Sequence, residues 1–476
     1  MASPITASST IDVQSIVSSM MQVERKPLTQ LQTEAKKIET KISAYGKLQS
    51  QIAAFRDAAA ELSKSGTWQT VKASSSASDA VDVTAGTGAV ASQHAVTVEA
   101  LAQSQTVASG TFASGDAIIG SGTLRIQLGT QPSGGASFTA DGARAEISVT
   151  VPADATLAQV RDRINAANAG VRAAVVRDGD QVRLFLSSAN TGANQAFRIQ
   201  VDDADGGSTD GAGLSALAFD PTAAAGAGRN LSLVRSASDA SFTIDGVALT
   251  SRTNRVAGAM DGIDLTFKKV TTAPVQVDVT VDTEAMEAAT RKFVDAYNSL
   301  NSLLAEQTAY NASTKTGGPL QGDRSAVSIL GQVRSIVRET VAGGTLATLS
   351  DAGMTLQRNG SLALSAERLK SVAAEPSALA RLFAAAGTDA TDRGLMRRFV
   401  DLADRLVGSE GSVKAATDAW AARKASNSLR QSAIETRLSD VEKRLLRQYS
   451  ALDAQLAAAQ QSQSAVASAL AGLPRV

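Results

Sequence analysis

Residues 28–62 read LTQLQTEAKKIETKISAYGKLQSQIAAFRDAAAEL, and the apolar positions in this stretch decide how the rest of the chain is organised. Leu28, Leu31, Ala35, Ile38, Ile42 and Tyr45 follow one another in steps of three and four. Ile52, Phe55, Ala59 and Leu62 resume the pattern after a polar slot at Gln49, beside Leu48. A seven-residue repeat holds its apolar side chains on one narrow seam, which predicts a coiled-coil helix rather than a broad core-facing one. At about 1.5 Å per residue the stretch makes a rod of roughly 50 Å. Pro27 suits the first turn of that rod and Gly66 its end.

The other end of the chain repeats the pattern. Ile434, Leu438, Val441, Leu445, Tyr449, Leu452, Leu456, Ala459, Val466, Leu470 and Leu473 keep the same steps, with Gln463 in one slot and Pro474 past the end. Two consecutive steps of four around Leu445 and Tyr449 read as a stutter that locally unwinds a supercoil. Seams at both ends can be completed in two ways. The ends can pair antiparallel within one chain, or helices of neighbouring subunits can cover them.

Between the rods the composition changes. From Ala73 to Asp282 the chain is rich in Ser, Thr, Gly, Asp and Val and contains neither Trp nor Tyr. Alternation at Val81–Thr84, Ala95–Val98, Ser241–Ile244, Ile263–Phe267 and Val275–Val281 predicts half-buried antiparallel strands, with an Asp245-Gly246 turn before Val247. These strands fall in two groups on either side of residues 109–235, which marks that block as an insertion. Within it, a strand over Glu146–Val151 leads to a helix over Thr156–Asn168 with Leu157, Val160 and Ile164 on one face. A hairpin follows, Val171–Val176 and Val182–Leu186 around Asp178-Gly179-Asp180, and a strand over Phe197–Val201 closes a β-α-β-β-β module.

From Thr283 to Gly408 helical spacing returns. Phe293, Tyr297, Leu300, Leu303 and Leu304 form one face and Val327, Leu330, Val333 and Val337 another, with a break at Gly317-Gly318-Pro319. Gly353–Leu356 and Ser361–Leu364, joined through Arg358-Asn359-Gly360, predict a short hairpin.

Composition excludes much chemistry. The chain of 476 residues is 43% hydrophobic, enough for real cores, so wholesale disorder is not expected. With no cysteine there are no disulfides, thiolate metal sites or cysteine nucleophiles. Lys+Arg 46 balances Asp+Glu 46, and no run of basic residues supplies a local surplus, which argues against nucleic acid. The single histidine, His94, has no spaced nucleophile or carboxylate around it in any catalytic motif. Asp202, Asp203, Asp205 and Asp210 read as a solvated turn, because Leu214 stands where a calcium loop starting at Asp203 needs a bidentate glutamate. Trp68 and Trp420 are expected to pack where the rods meet a domain. MASPITASSTIDVQSIV lacks the basic and apolar regions of a cleaved signal, and no apolar run is long enough for a bilayer, so a soluble chain is expected. No cofactor and no enzymatic activity are expected. What remains is association.

At this point the pieces resemble the flagellar hook-associated protein 2 family of filament caps. The resemblance rests on Ile11–Val17 with Glu24, Pro27 and Leu28, on Ala95–Gln103, on Phe293, Tyr297 and Asn298 with Leu320–Asp323 (Gly322 and Asp323 included), and on Asp351–Met354 with Gly360–Leu362. The inserted module, notably Ile164-Asn165 and Gly192, is similar to a small motif shared by flagellin and hook proteins.

The resemblance implies an α+β multidomain fold. Terminal coiled-coil helices would comprise 1–42 with 430–476, and a helical leg domain 43–72 with 283–429. Nested antiparallel β-rich head domains would comprise 73–108 with 236–282, and the insertion 109–235. It also implies export through the flagellum's own channel to the extracellular distal tip, a homo-oligomeric ring, and partners that include flagellin, the hook–filament junction protein and a dedicated export chaperone. No nucleic acid or membrane partner is implied. Seam residues expected to face other polypeptides are Leu28, Leu31, Ile38, Ile42, Ile52, Phe55, Leu438, Val441, Leu445, Leu452, Leu456 and Leu470. Two other roles fit the same sequence: another axial subunit such as flagellin or a junction protein, and a tip adhesin binding host glycans.

Overall fold

The computed structural model describes residues 12–132, 137–313, 315–389 and 391–471; Ile11, Leu473 and Pro474 lie outside them. In chain order the helices are α1 (Val13–Glu24), α2 (Lys26–Leu62), α3 (Leu157–Ala166), α4 (Thr283–Thr308), α5 (Arg324–Val337), α6 (Ala366–Val372), α7 (Pro376–Ala384), α8 (Leu395–Val407) and α9 (Ser412–Ala471). The chain divides into two compact units. One joins residues up to Thr70 with those from Thr283 onward, and the other is Val71–Asp282.

The first unit is built on α2, which starts with Pro27 in its first turn as expected. Tyr45, Leu48, Ile52, Phe55, Ala59 and Leu62 keep strict three–four spacing and are buried, so Leu48 carries the seam and Gln49 faces solvent. The sequence placed the polar slot on the wrong residue, because Gln49 and Leu48 are adjacent and only packing distinguishes them. α2 packs against α4, α8 and α9. Phe55 lies at the centre, its ring 5.5 Å from Phe293, 5.3 Å from Phe399 and 6.3 Å from Tyr297. Such aromatic contacts add about 0.5–1.5 kcal/mol each beyond the area they bury. Past α2 the chain turns back, and Trp68 stacks on Phe383 at 4.5 Å while its Nε1 donates to the Leu62 carbonyl at 2.8 Å.

Asp323 caps α5 through the backbone N–H groups of Ser325 and Ala326. The buried face of α5 is Ala326, Ile329, Val333, Ile336 and Val337; Val327, expected on that face, is exposed. The hairpin expected at residues 353–364 is present, with strands Met354–Leu356 and Leu362–Leu364 in antiparallel register. On α8 the guanidinium of Arg398 is buried, and each of its three nitrogens donates a hydrogen bond. It donates to Glu339 Oε2 at 2.9 Å, the Thr340 carbonyl at 3.2 Å and the Arg393 carbonyl at 2.8 Å.

The second unit holds sixteen strands among the described residues: β1 (Val71–Ser75), β2 (Val81–Ala85), β3 (Ser92–Ala100), β4 (Thr106–Phe112), β5 (Gly122–Thr130), β6 (Thr139–Ala140), β7 (Ile147–Val151), β8 (Val171–Asp178), β9 (Gln181–Ser188), β10 (Ala196–Asp203), β11 (Ser232–Arg235), β12 (Ala240–Ile244), β13 (Val247–Ser251), β14 (Arg255–Met260), β15 (Ile263–Phe267) and β16 (Val275–Val281). They surround two apolar cores. One sheet in the order β1-β16-β3-β12-β13 and another in the order β14-β15-β2 enclose Val81, Val96, Val98, Phe242, Leu265 and Val277. The strands expected here are present, each with its alternate residues buried.

The inserted block forms the other core, with α3 over two sheets. Thr156 and Gln159 make a reciprocal capping box at the start of α3, and Leu157, Val160 and Ile164 are its buried face. The module's strands do not form one sheet. β7 and β10 flank β5, whereas β8 and β9 join β4 and β11. The central strand β5 was not among the expected strands, although Leu124, Ile126 and Leu128 alternate with Arg125 and Gln127 between the glycines near its ends. Gly122 and Gly129 are required there: a Cβ would stand 2.1 Å from the Asp202 carbonyl oxygen and 2.2 Å from that of Thr139.

Candidate assembly surfaces

The two ends of the chain meet inside the first unit. Asp12 caps α1 by accepting from the Ser15 N–H at 3.0 Å, and Val17 and Met21 present a short apolar stripe. That stripe packs on α9 against Leu438 and Val441, with Val13, Leu28, Ile434, Leu445, Leu446 and Tyr449 around it. Further along the pair, Asn427 and Gln431 donate to the Leu31 carbonyl at 3.2 and 3.5 Å. Lys424 and Glu39 bridge the same two helices at 2.9 Å. α1 was missed as a separate helix, although Asp12 followed by Val13, Val17 and Met21 at steps of four carried the signal.

The expected seam residues therefore divide by environment. Ile52 and Phe55 belong to the unit's own core and are unavailable to a partner, a correction with a plain cause: α4 and α8 close over that half of α2. Ile38, Leu438 and Val441 are buried, and Leu28, Leu31, Ile42 and Leu445 half-buried. Beyond Tyr449 the stripe continues into solvent. Leu452 is 42% exposed, Leu456 38% and Val466 59%. Leu470 lies on α9, with its side chain outside the described residues. At about 1.5 Å per residue, the 60 residues of α9 span roughly 90 Å.

The motif residues on α4 work inside the unit. Phe293 is in the aromatic cluster, and Tyr297 donates from its hydroxyl to the Gly360 carbonyl at 3.1 Å. Burial raises the Tyr297 pKa, and the nearby Arg334 and Arg338 guanidinium groups pull it back. Burial, and then the Asp323 carboxylate, also push the Tyr45 hydroxyl above the ordinary phenol value. Asn298 acts like a strand edge. Its Oδ1 accepts from Leu362 N at 2.7 Å and its Nδ2 donates to the Leu362 carbonyl at 2.9 Å. Gly360 has φ +83°, and a Cβ there would meet Arg334 Nη2 at 2.2 Å.

Replacing Asn298 with Ala strands both Leu362 groups and should cost about 2 kcal/mol of helical-unit stability. Urea unfolding followed by far-UV dichroism measures it, and a loss below about 0.5 kcal/mol, the scale of an ordinary surface substitution, would deny the amide this role.

The same amide device recurs in the β-rich unit. Asn165 exchanges both bonds with Ala173 at 2.8 and 2.9 Å, and Asn254 does so with Ala102 at 2.7 and 3.0 Å. Gln105, fully buried, does so with Phe197 at 2.9 and 3.1 Å.

The remaining polar candidates are absorbed locally. Asp203 accepts from Ser215 N, Asp205 from Gly207 N, and Asp210 from Ala212 N and Ser215 Oγ, so these carboxylates hold their own loop. The Ser215 hydroxyl, and then the Ala212 N–H, keep Asp210 below the usual carboxylate range. His94 Nδ1 lies 2.7 Å from Asp245 Oδ2, while Asp245 Oδ1 accepts from Ala95 N at 2.8 Å and ties the β12–β13 turn to β3. Among the described residues no group of three or more His, Cys, Asp or Glu side chains is placed to hold a metal ion. None of their helices is long and apolar enough to cross a membrane.

The helical unit joins the two ends of the chain, the β-rich unit is inserted between them in sequence, and an apolar stripe runs on into solvent along α9. The chain's relatives are proteins of the bacterial flagellum. The N-terminal and C-terminal domain families of flagellar hook-associated protein 2 match residues 9–105 and 237–461, and the flagellin hook IN motif matches residues 133–190. The chain belongs to the flagellar hook-associated protein 2 family.

It is 29% identical to the B-type flagellar hook-associated protein 2 of Pseudomonas aeruginosa, over 97% of this chain and 96% of that one. With the flagellar hook-associated protein 2 of Escherichia coli K12 it shares 28% identity over 86% and 85% of the two chains. The crystal structure of the D1–D2–D3 domains of the flagellar cap protein FliD from Escherichia coli matches at a TM-score of 0.61 and 28% identity, covering 79% of this chain and 99% of that one.

Proposed function

We propose that this chain is the cap of a flagellar filament. It closes into a homo-oligomeric ring at the distal tip, holds exported flagellin beneath it and lets each subunit be inserted before it is lost. The D1–D2–D3 domains of the Escherichia coli cap protein, which match 79% of this chain, support the cap role. The observation that carries the mechanism is the exposed stripe Leu452, Leu456 and Val466 on α9. Apolar side chains in a row along an otherwise polar helix are stabilised when another helix covers them, each by about 1–2 kcal/mol where half its area is regained. A few such contacts hold a leg in place yet let it release, which a cap that steps forward as the filament grows requires. The hook–filament junction protein would offer the first seat, and an export chaperone would cover the same stripe before assembly. The cap acts by association alone, with no cofactor and no bond made or broken.

Light scattering and electron microscopy of the purified full-length chain test this reading. A small closed oligomer whose mass stays fixed as concentration rises is expected. Tubes that lengthen with concentration would make the chain a filament or junction subunit, and a persistent monomer would remove the ring.

A further inference from the structure

We propose that the cleft around Trp420 is a docking surface for an acidic helical segment of a partner polypeptide. The cleft, of about 410 Å³, lies between α2 and α9 and is lined by Lys37, Lys41, Arg423 and Arg430. Glu34 is the one carboxylate in the lining. Two of the cations lie over the Trp420 ring, Lys41 Nζ 4.6 Å and Arg423 Cζ 4.4 Å from its centroid. Among the described residues none of the four cations forms an ion pair or a hydrogen bond. Their neighbours do: Lys424 holds Glu39 at 2.9 Å and Lys414 holds Asp418 at 2.8 Å.

This surface corrects the expectation that the chain has no local basic surplus. The surplus is assembled from two helices almost 400 residues apart in sequence, so no run of basic residues announces it. Four cations gathered around a single carboxylate repel one another, and an opposite charge from outside relieves that.

The geometry favours a helix over a nucleic acid. Lys37 and Lys41 are one turn apart on α2, and Arg423 and Arg430 two turns apart on α9, which matches carboxylates on one face of a third helix. Four cations are also fewer than the roughly six to ten phosphate contacts typical of a nucleic-acid site.

Fluorescence anisotropy on the full-length chain tests the proposal, with a labelled helix-forming peptide of glutamate and alanine roughly 15 residues long as the probe. Binding is expected at low salt, and should weaken as added salt shortens the screening length below about 8 Å. The double variant Lys37→Glu with Arg430→Glu should weaken it about tenfold or more, while Lys37→Arg should retain it. Far-UV dichroism of the double variant should be unchanged, since both positions are exposed. No binding at low salt, or binding that the double variant leaves intact, overturns the proposal. So does a short DNA duplex that binds as tightly and loses affinity in the same variant, because the surface would then recognise phosphates.

Discussion

A chain ending at Ser450 is expected to fold as the full chain does and to lose both self-association and filament capping. The packing of α9 supports the first half of that result. Its buried positions end with Val441, and the half-buried Leu445, Leu446 and Tyr449 close the contact with α1. Past that point nearly every described side chain is exposed, so removing the segment uncovers no core. Dichroism should fall by about twenty residues of helix, while the melting midpoint moves by no more than about 2 °C, since under 1 kcal/mol of packing is removed. The second half follows from the proposed cap role, in which Leu452, Leu456 and Val466 reach their partners. Swimming of a strain carrying only the shortened chain, with flagellin counted in the medium, reads the outcome. Normal motility would mean that the exposed stripe has no part in capping.

Phe55→Ala should destabilise the helical unit by about 3–5 kcal/mol, the range for removing a fully buried aromatic side chain. Phe55 touches rings from α4 and α8 at once, so the cavity opens where three helices converge and cannot collapse without separating them. The β-rich unit has its own two cores and should keep its transition unchanged. Calorimetry should therefore show one endotherm moving down and another staying in place. A joint shift of both would mean that the two units unfold as one.

Much of the fold was legible because burial of one face leaves a periodic trace. Residues 81–84, 263–267 and 275–281 alternate in sequence and alternate in burial. The errors came where a neighbour decided the outcome. Ala326 is buried and Val327 exposed, although valine is the more apolar, because the packing of α5 against α4 and α8 sets the phase of the helix. β5 carried the same trace, Leu124, Ile126 and Leu128 alternating with Arg125 and Gln127, and was overlooked rather than hidden. The terminal seams were visible, but how much of each is covered within the chain was not. Asn298 stood out only as part of a family pattern, since its partner Leu362 lies 64 residues away and nothing local shows the bond.

The paired amides carry a consequence for the lifetime of the molecule. Asn165, Asn254 and Asn298 each present one donor and one acceptor to a single backbone residue. Spontaneous deamidation would replace the donor with a second oxygen and set it against a carbonyl oxygen, turning an attraction into a repulsion. Holding each of these amides by both ends also restrains the side chain from the attack geometry that deamidation needs.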